Sequence, residues 1–267
     1  MPVTFPAHQA GVLPLKVWKP KWFDGLALVV GAGSPDLFLT LNHNPRFDAH
    51  GVTGVVVAVA FTIVYATLFR RYSADGLFGS LPDFGPLRCS SYRVLRVGRP
   101  RLLVTTFSAF VGVLNHIFID SFTHAGRLGS RTLGFDHVLV DEPVTITVAK
   151  VLQYLGHTVG SLIGILLFVV VVSNRHLGEW YGQDTIERFR NAPTADHAGW
   201  ITGAIVLAGV TTGLVWGWPS SPFPIFHMGL GLALSLFIAG AVNGQRTTRS
   251  KANGLALRRK SASEQAA

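Results

Sequence analysis

Long, nearly uncharged apolar runs alternate with short polar loops along this chain and predict a helical membrane protein. The runs cover residues 51–69, 102–122, 158–173, 200–218 and 223–242. An α-helix of about 20 apolar residues crosses a hydrocarbon core of roughly 30 Å. The apolar residues are continuous within each run and do not alternate with polar ones, so we expect helices.

A sixth apolar run, residues 25–41, is shorter and is interrupted by Ser34, Pro35 and Asp36 in its second half. Proline lacks a backbone N–H and breaks or kinks a helix, so this run predicts a short, broken or re-entrant helix. The expected fold class is all-α, a polytopic helical membrane bundle with about six transmembrane helices.

Basic residues are distributed unevenly between the loops and predict the topology. If residues 25–41 count as a crossing, all 23 basic residues except Arg46, Arg127, Arg131 and Lys150 lie on one face. Lys and Arg concentrate in cytoplasmic loops. Both termini are therefore predicted to be cytoplasmic.

The chain is predicted to form a helical membrane domain over residues 1–244, followed by a basic tail over residues 245–267. The tail has low hydrophobicity and clustered charge, which favours disorder. Apolar residues between positions 148 and 155 lie at helical spacing and predict a short helix in the membrane interface.

Composition agrees with lipid as the main solvent. Hydrophobic residues make up 49% of the chain and charged residues 14%, against roughly 25% charged in soluble domains. The net charge is +9, and the Lys and Arg residues that produce it lie between the apolar runs. They do not form a stripe interleaved with aromatic residues, so the expected partner is the lipid bilayer and not nucleic acid. Cys89 is the only cysteine, which excludes an intrachain disulfide.

Three ionisable residues lie at or near the end of the run 102–122. His116, Asp120 and His124 recur at every fourth position, which places them on one helical face. An ionisable group inside a membrane helix costs roughly 2.5–3.5 kcal/mol, and imidazole and carboxylate are ligands of zinc and similar divalent metals. The residues fit a divalent metal site, a hydrogen-bonded polar seam between helices, or a proton or ion pathway.

One helix supplies too few ligands for a closed metal site, so further candidates are needed. Candidates near the predicted outer face are Asp36, His43, His50 and His157, whereas His8 lies on the predicted cytoplasmic side. His8 can join the others only if the N-terminal segment dips back into the membrane. The candidate metal ligands are Asp36, His116, Asp120, His124, His50, His43, His157 and His8.

Short motifs in the first two thirds of the chain resemble a known family. They are His8 within FPAHQAGVLPL, the segment Ser34-Pro35-Asp36-Leu37, and His116, Asp120, Ser121 and His124 within HIFIDSFTH. These motifs resemble the uncharacterised bacterial multi-pass membrane proteins of domain-of-unknown-function family 4184. The pattern is also similar, more loosely, to predicted membrane-bound metal-dependent hydrolases. The resemblance implies a multi-pass fold in the bacterial inner membrane and a candidate site.

The expected function is that of a membrane-embedded metal-dependent hydrolase acting near the outer leaflet. Asp36, His116, Asp120 and His124 would hold a divalent ion such as zinc, and a lipid or lipid-linked ester or phosphoester would be the substrate. No catalytic residue beyond these ligands is predicted. The alternative is a non-enzymatic membrane protein, either a small transporter or proton pathway or an assembly factor, with a polar His/Asp seam.

Overall fold

The computed structural model describes residues 6–38, 48–84, 88–98, 100–173, 176–194, 197–217 and 224–265. These residues are predominantly helical, with very little strand, which confirms the all-α class. The α-helices are α1 (Ala7–Ala10), α2 (Leu13–Trp18), α3 (Gly25–Leu37), α4 (Val52–Leu68), α5 (Ala74–Ser80), α6 (Leu102–Thr123), α7 (Leu128–Thr132), α8 (Val148–Ser173), α9 (His176–Tyr181), α10 (Gln183–Arg190), α11 (Ala198–Gly217) and α12 (Pro224–Gln265).

Four further elements occur in the described residues. A π-helical turn, Phe69–Ser73, joins α4 to α5, and a 3-10 helix covers Cys89–Arg96. Strands β1 (Val138–Val140) and β2 (Ile146–Thr147) form a small antiparallel pair.

Among the described residues, five helical segments are long and apolar enough to cross a membrane, and they confirm the five long runs predicted from the sequence. The segments are Val52–Ser80, Leu102–Thr123, Val148–Val171, Ala198–Trp216 and His227–Ser250. The sixth predicted run forms α3, which has 13 residues. Its length of about 20 Å is less than the hydrocarbon core of roughly 30 Å, as expected for a short element.

One local prediction differs from the structure. The segment 148–155, predicted as a separate interfacial helix, forms the first turns of α8, because no proline interrupts residues 148–173. Helix α12 extends to Gln265, and the division of the chain into a membrane domain over residues 1–244 and a tail over residues 245–267 stays a prediction.

Helix α6 presents a lipid-type face and a polar face. Phe107, Phe110, Leu114 and Phe118 are exposed along one side. The buried side carries small and polar residues at helical spacing, namely Thr105, Ser108, Ala109, Gly112, His116 and Asp120. Because small residues let membrane helices approach closely, this face receives the neighbouring helices.

Helix α3 packs closely along α6 through glycines on both helices. A Cβ atom added to Gly112 would lie 2.7 Å from the Leu28 carbonyl oxygen, and one added to Gly31 would lie 2.7 Å from the Ala109 carbonyl oxygen. Both positions therefore require glycine. This contact brings the C-terminal end of α3 beside His116.

The other end of α3 is fixed by Asp24, which caps the helix. The Asp24 carboxylate accepts hydrogen bonds from the backbone N–H groups of Leu26 and Ala27, at 3.1 and 3.3 Å, and from the Thr105 hydroxyl at 2.8 Å. The Asp24 backbone N–H donates to the Ser108 hydroxyl oxygen at 2.8 Å. These bonds fix the register of α3 on α6.

The N-terminal segment forms a hairpin with α3. Lys16 donates hydrogen bonds to the carbonyl oxygens of Pro20 and Phe23 at 2.7 and 3.0 Å, and so closes the turn before Asp24. Because Asp24 binds residues early in α6, this lysine-rich turn lies at the Arg101 end of α6. Helix α1, by contrast, contacts both α3 and α6 further along.

The described chain divides into two compact units. The first comprises residues 1–66, 100–171 and 217–227 and includes every candidate ligand; the second comprises residues 67–99, 172–216 and 228–267. Within the second unit, the buried Arg93 guanidinium donates to Asp75 at 2.7 Å, and Arg96 donates to the other Asp75 oxygen at 2.9 Å.

Candidate metal centre

Asp36 reaches the centre because α3 ends beside α6. Pro35 has no N–H to donate to the Gly31 carbonyl four residues earlier, and the Ser34 hydroxyl donates to that carbonyl instead, at 3.1 Å. The Asp36 side chain is buried, and its Oδ1 lies 3.4 Å from Nε2 of His116.

His116 is fully buried and oriented by the backbone of α3. Its Nδ1 lies 2.9 Å from the carbonyl oxygen of Ala32. Because a carbonyl oxygen only accepts, Nδ1 carries a proton, and Nε2 faces the centre; in the neutral ring Nε2 would present a lone pair there. A hydrogen bond from the far nitrogen to a carbonyl is the usual support for a metal-binding histidine.

Asp120 lies one turn after His116 on the same face of α6, as the sequence predicted. Its Oδ2 is 3.4 Å from His116 Nε2. The exposed fraction of the Asp120 side chain is 8%, so the carboxylate sits among protein groups.

His50 enters the centre from the segment that precedes α4. The Asp48 carboxylate accepts a hydrogen bond from the His50 backbone N–H at 3.0 Å and shapes this turn. His50 Nε2 lies 3.2 Å from Asp120 Oδ2 and 3.3 Å from His116 Nε2.

Four ligand-type atoms therefore converge, one each from Asp36, His50, His116 and Asp120, and all lie within 4.8 Å of one another. Tetrahedral zinc with bonds of about 2.0–2.2 Å separates neighbouring ligand atoms by about 3.3–3.6 Å. The four separations given above run from 3.2 to 3.4 Å, close to those expected around one ion.

The charge of these groups also suits a divalent cation. Two carboxylates carry a charge of −2 when ionised, and neutral imidazoles add none, so one divalent ion would make the cluster neutral. This matters because buried charge without compensation is costly. The residues thus fit a divalent metal in both geometry and charge.

His8 joins the cluster because the N-terminal segment dips to the level of His116. The His8 ring lies 4.3 Å from the His116 ring, centroid to centroid, and His8 Nε2 is 3.4 Å from Asp120 Oδ1. The Asn115 amide donates to the His8 carbonyl at 2.9 Å, and Gly160 leaves room for Ala7 against α8. The lysine-rich turn that follows α2 lies beside the start of α6, whereas His8 lies beside Asn115 in its C-terminal half. His8 and these lysines are therefore at different positions along the axis of α6.

His124 and His157 lie at the edge of the cluster. His124 Nδ1 is 3.6 Å from Asp120 Oδ1, and its Nε2 contacts the Gln153 amide at 2.8 Å. Burial lowers the pKa of His124, which favours the neutral, ligating form. The His157 ring is 6.5 Å from that of His8, and no contact between His157 and a carboxylate occurs among the described residues. His43 lies outside the described residues.

Sequence reasoning identified the ligand-type residues but missed those that hold them. Asn115, Gln153 and the Ala32 carbonyl orient His8, His124 and His116 respectively. Asn115 and Gln153 did carry a signal, because amide side chains within apolar helices are uncommon. The Ala32 carbonyl carried none, because its contact depends on the approach of α3 to α6.

Comparison with known proteins places the chain in a family. It matches no curated protein and no solved structure. The family model described as "Domain of unknown function (DUF4184)" matches residues 1–245, which extends the resemblance beyond the motifs near the N-terminus and in α6. Because the match covers most of the chain, the protein belongs to the DUF4184 family.

Proposed function

We propose that this membrane protein is a divalent-metal-dependent hydrolase. The observation that carries the proposal is the convergence of Asp36, His50, His116 and Asp120 within 4.8 Å. Unlike a polar seam, this arrangement gathers ligands from three separate segments around one point. The bond to Ala32 also turns Nε2 of His116 toward the carboxylates.

A bound divalent ion lowers the pKa of water to about 7 and so supplies hydroxide at neutral pH. In hydrolysis, the water oxygen forms a bond to the substrate phosphorus or carbonyl carbon, the bond to the leaving alcohol breaks, and that alcohol takes a proton.

His116 and Asp120 lie about 5–10 Å from the end of α6 by helical rise. A lipid or lipid-linked ester or phosphoester can reach this depth from the bilayer, and we propose such a substrate.

The proposed location is the bacterial inner membrane, with both termini cytoplasmic and the metal centre toward the outer face. The distribution of basic residues supports this orientation. The hairpin of the N-terminal segment is compatible with it, because Lys16 and its neighbours lie at the Arg101 end of α6 and His8 lies at the level of His116.

Metal content of the detergent-purified protein tests the proposal. We expect at least one zinc, manganese or iron ion per chain in the wild type, and loss of that ion in the His116→Ala, Asp120→Ala double variant. His137→Ala provides a matched control, because His137 is exposed in a loop. Wild-type protein that folds normally, purifies without metal and binds none after dialysis against Zn²⁺ or Mn²⁺ would refute the proposal.

A further inference from the structure

We propose that the centre binds two divalent ions bridged by the Asp120 carboxylate. This inference rests on the proposed function, which supplies the first ion at Asp36, His50, His116 and Asp120. The second ion would be held by Asp120 Oδ1, His8 Nε2 and His124 Nδ1.

The two oxygens of Asp120 face different pairs of histidines. Oδ2 lies 3.2 Å from His50 Nε2 and 3.4 Å from His116 Nε2. Oδ1 lies 3.4 Å from His8 Nε2 and 3.6 Å from His124 Nδ1. A carboxylate placed between two pairs of imidazoles has the arrangement of a bridging ligand in a two-metal site, where the ions lie about 3.5–4 Å apart.

The Oδ1 atom is buried and has no hydrogen-bond partner among the described residues. Its separations from His8 and His124 exceed the usual 2.7–3.2 Å of an N–H···O hydrogen bond. They match the spacing of about 3.3–3.6 Å expected between ligands of one tetrahedral ion. A cation between these three atoms would satisfy a carboxylate oxygen that the described residues leave without a hydrogen bond.

Coordination number gives an independent reason for a second ion. The first position already has four protein ligands, so an ion there would take water only by expanding to five-coordinate, whereas catalytic zinc commonly has three protein ligands and one open position. The second position has three. Water or substrate would therefore bind at the second ion.

The ring of His124 must present Nδ1 to this ion, and Gln153 can secure that orientation. The Gln153 amide contacts His124 Nε2 at 2.8 Å. With its carbonyl turned toward Nε2, Gln153 would accept the Nε2 proton and leave a lone pair on Nδ1, which also lies 3.3 Å from the Thr123 hydroxyl oxygen; amide oxygen and nitrogen exchange places by a simple rotation. Gln153 is thus a positioning residue for the second ion.

Two ions would also select the charge of the substrate. Two divalent cations carry +4 and the two carboxylates −2, so a buried centre with both ions favours an anionic ligand. Of the ester classes considered above, a phosphoester carries that charge. The two-ion centre therefore predicts a phosphoester headgroup as the substrate class.

Metal stoichiometry of protein reconstituted with Mn²⁺ in detergent tests this inference. We expect two ions per chain in the wild type, with the electron paramagnetic resonance spectrum of a coupled pair. His8→Ala and His124→Ala should each retain one ion and give the spectrum of isolated Mn²⁺. His137→Ala should retain two.

The outcomes separate the two proposals. One ion per chain in the wild type would overturn the second position and leave the proposed function intact, and no ion would overturn both. Loss of both ions from the two histidine variants, or retention of both, would overturn the assignment of His8 and His124 to a separate position.

As a conservative pair, Gln153→Glu should keep two ions and Gln153→Leu should keep one.

Discussion

At the scale of single residues, the centre places ionisable groups where lipid alone could not solvate them. The exposed fraction of the His116 side chain is 0% and that of Asp36 is 11%. Two buried carboxylates without a cation would repel each other, and a bound ion removes that repulsion. Metal binding should therefore contribute directly to the stability of the folded protein.

Chelation should lower the thermal stability of the wild-type protein. An ion at one hundred times its Kd stabilises the folded state by about 2.7 kcal/mol, and treatment with a strong chelator removes this contribution. We expect a lower Tm on chelation, measured by tryptophan fluorescence in detergent, and recovery when Zn²⁺ is returned. In the His116→Ala, Asp120→Ala double variant, which lacks ligands of both proposed ions, the Tm should not respond to the chelator; an equal response there would show that the stabilising ion binds elsewhere.

At the scale of elements, the close approach of α3 to α6 decides whether Asp36 and His116 meet. Gly31 and Gly112 face the partner backbone at van der Waals distance, and Asp24 fixes the register at the other end. Neither helix can shift along the other without breaking these bonds. The candidate metal centre thus lies on a closely packed helix pair.

A larger residue at Gly112 should separate these helices and weaken the centre. In Gly112→Val, the added Cβ would meet Leu28 O at 2.7 Å and Ala32 N at 2.9 Å, and overpacking of this kind costs about 1–3 kcal/mol. We expect a lower Tm and at least tenfold weaker metal binding, measured by competition with a chromophoric chelator.

Gly156→Val is the matched control for that prediction. Gly156 lies in α8 of the same unit, and a Cβ added there meets nothing within 4 Å. The control should keep wild-type metal affinity. Equal loss in both variants would mean that general destabilisation, and not the α3–α6 contact, sets the affinity.

At the scale of the whole molecule, the proposed orientation depends on the path of the N-terminal hairpin along α6. The lysine-rich turn after α2 lies beside the first turns of α6, whereas His8 reaches the level of His116 later in α6. This path of the N-terminal segment is compatible with the proposed orientation, in which His8 lies toward the outer face and the basic turn lies on the cytoplasmic face.

Accessibility of single cysteines should reveal this topology. In a Cys89→Ser background, Lys19→Cys and Ser261→Cys should react with a membrane-impermeant maleimide only from the cytoplasmic side. His137→Cys, in the loop after α7, should react only from the opposite side. Labelling of Lys19→Cys and Ser261→Cys from different sides would contradict the predicted orientation.

The sequence by itself determined the five long spans and the shared face of His116, Asp120 and His124, because apolar length and helical period are local properties. It also identified Asp36 as a candidate, since the Ser34-Pro35 break is visible in the sequence. Tertiary structure decided that His8 and His50 meet Asp120 and that His157 lies further away. Those contacts depend on how glycine-lined helices approach one another and on the path of the N-terminal hairpin, which no local pattern encodes.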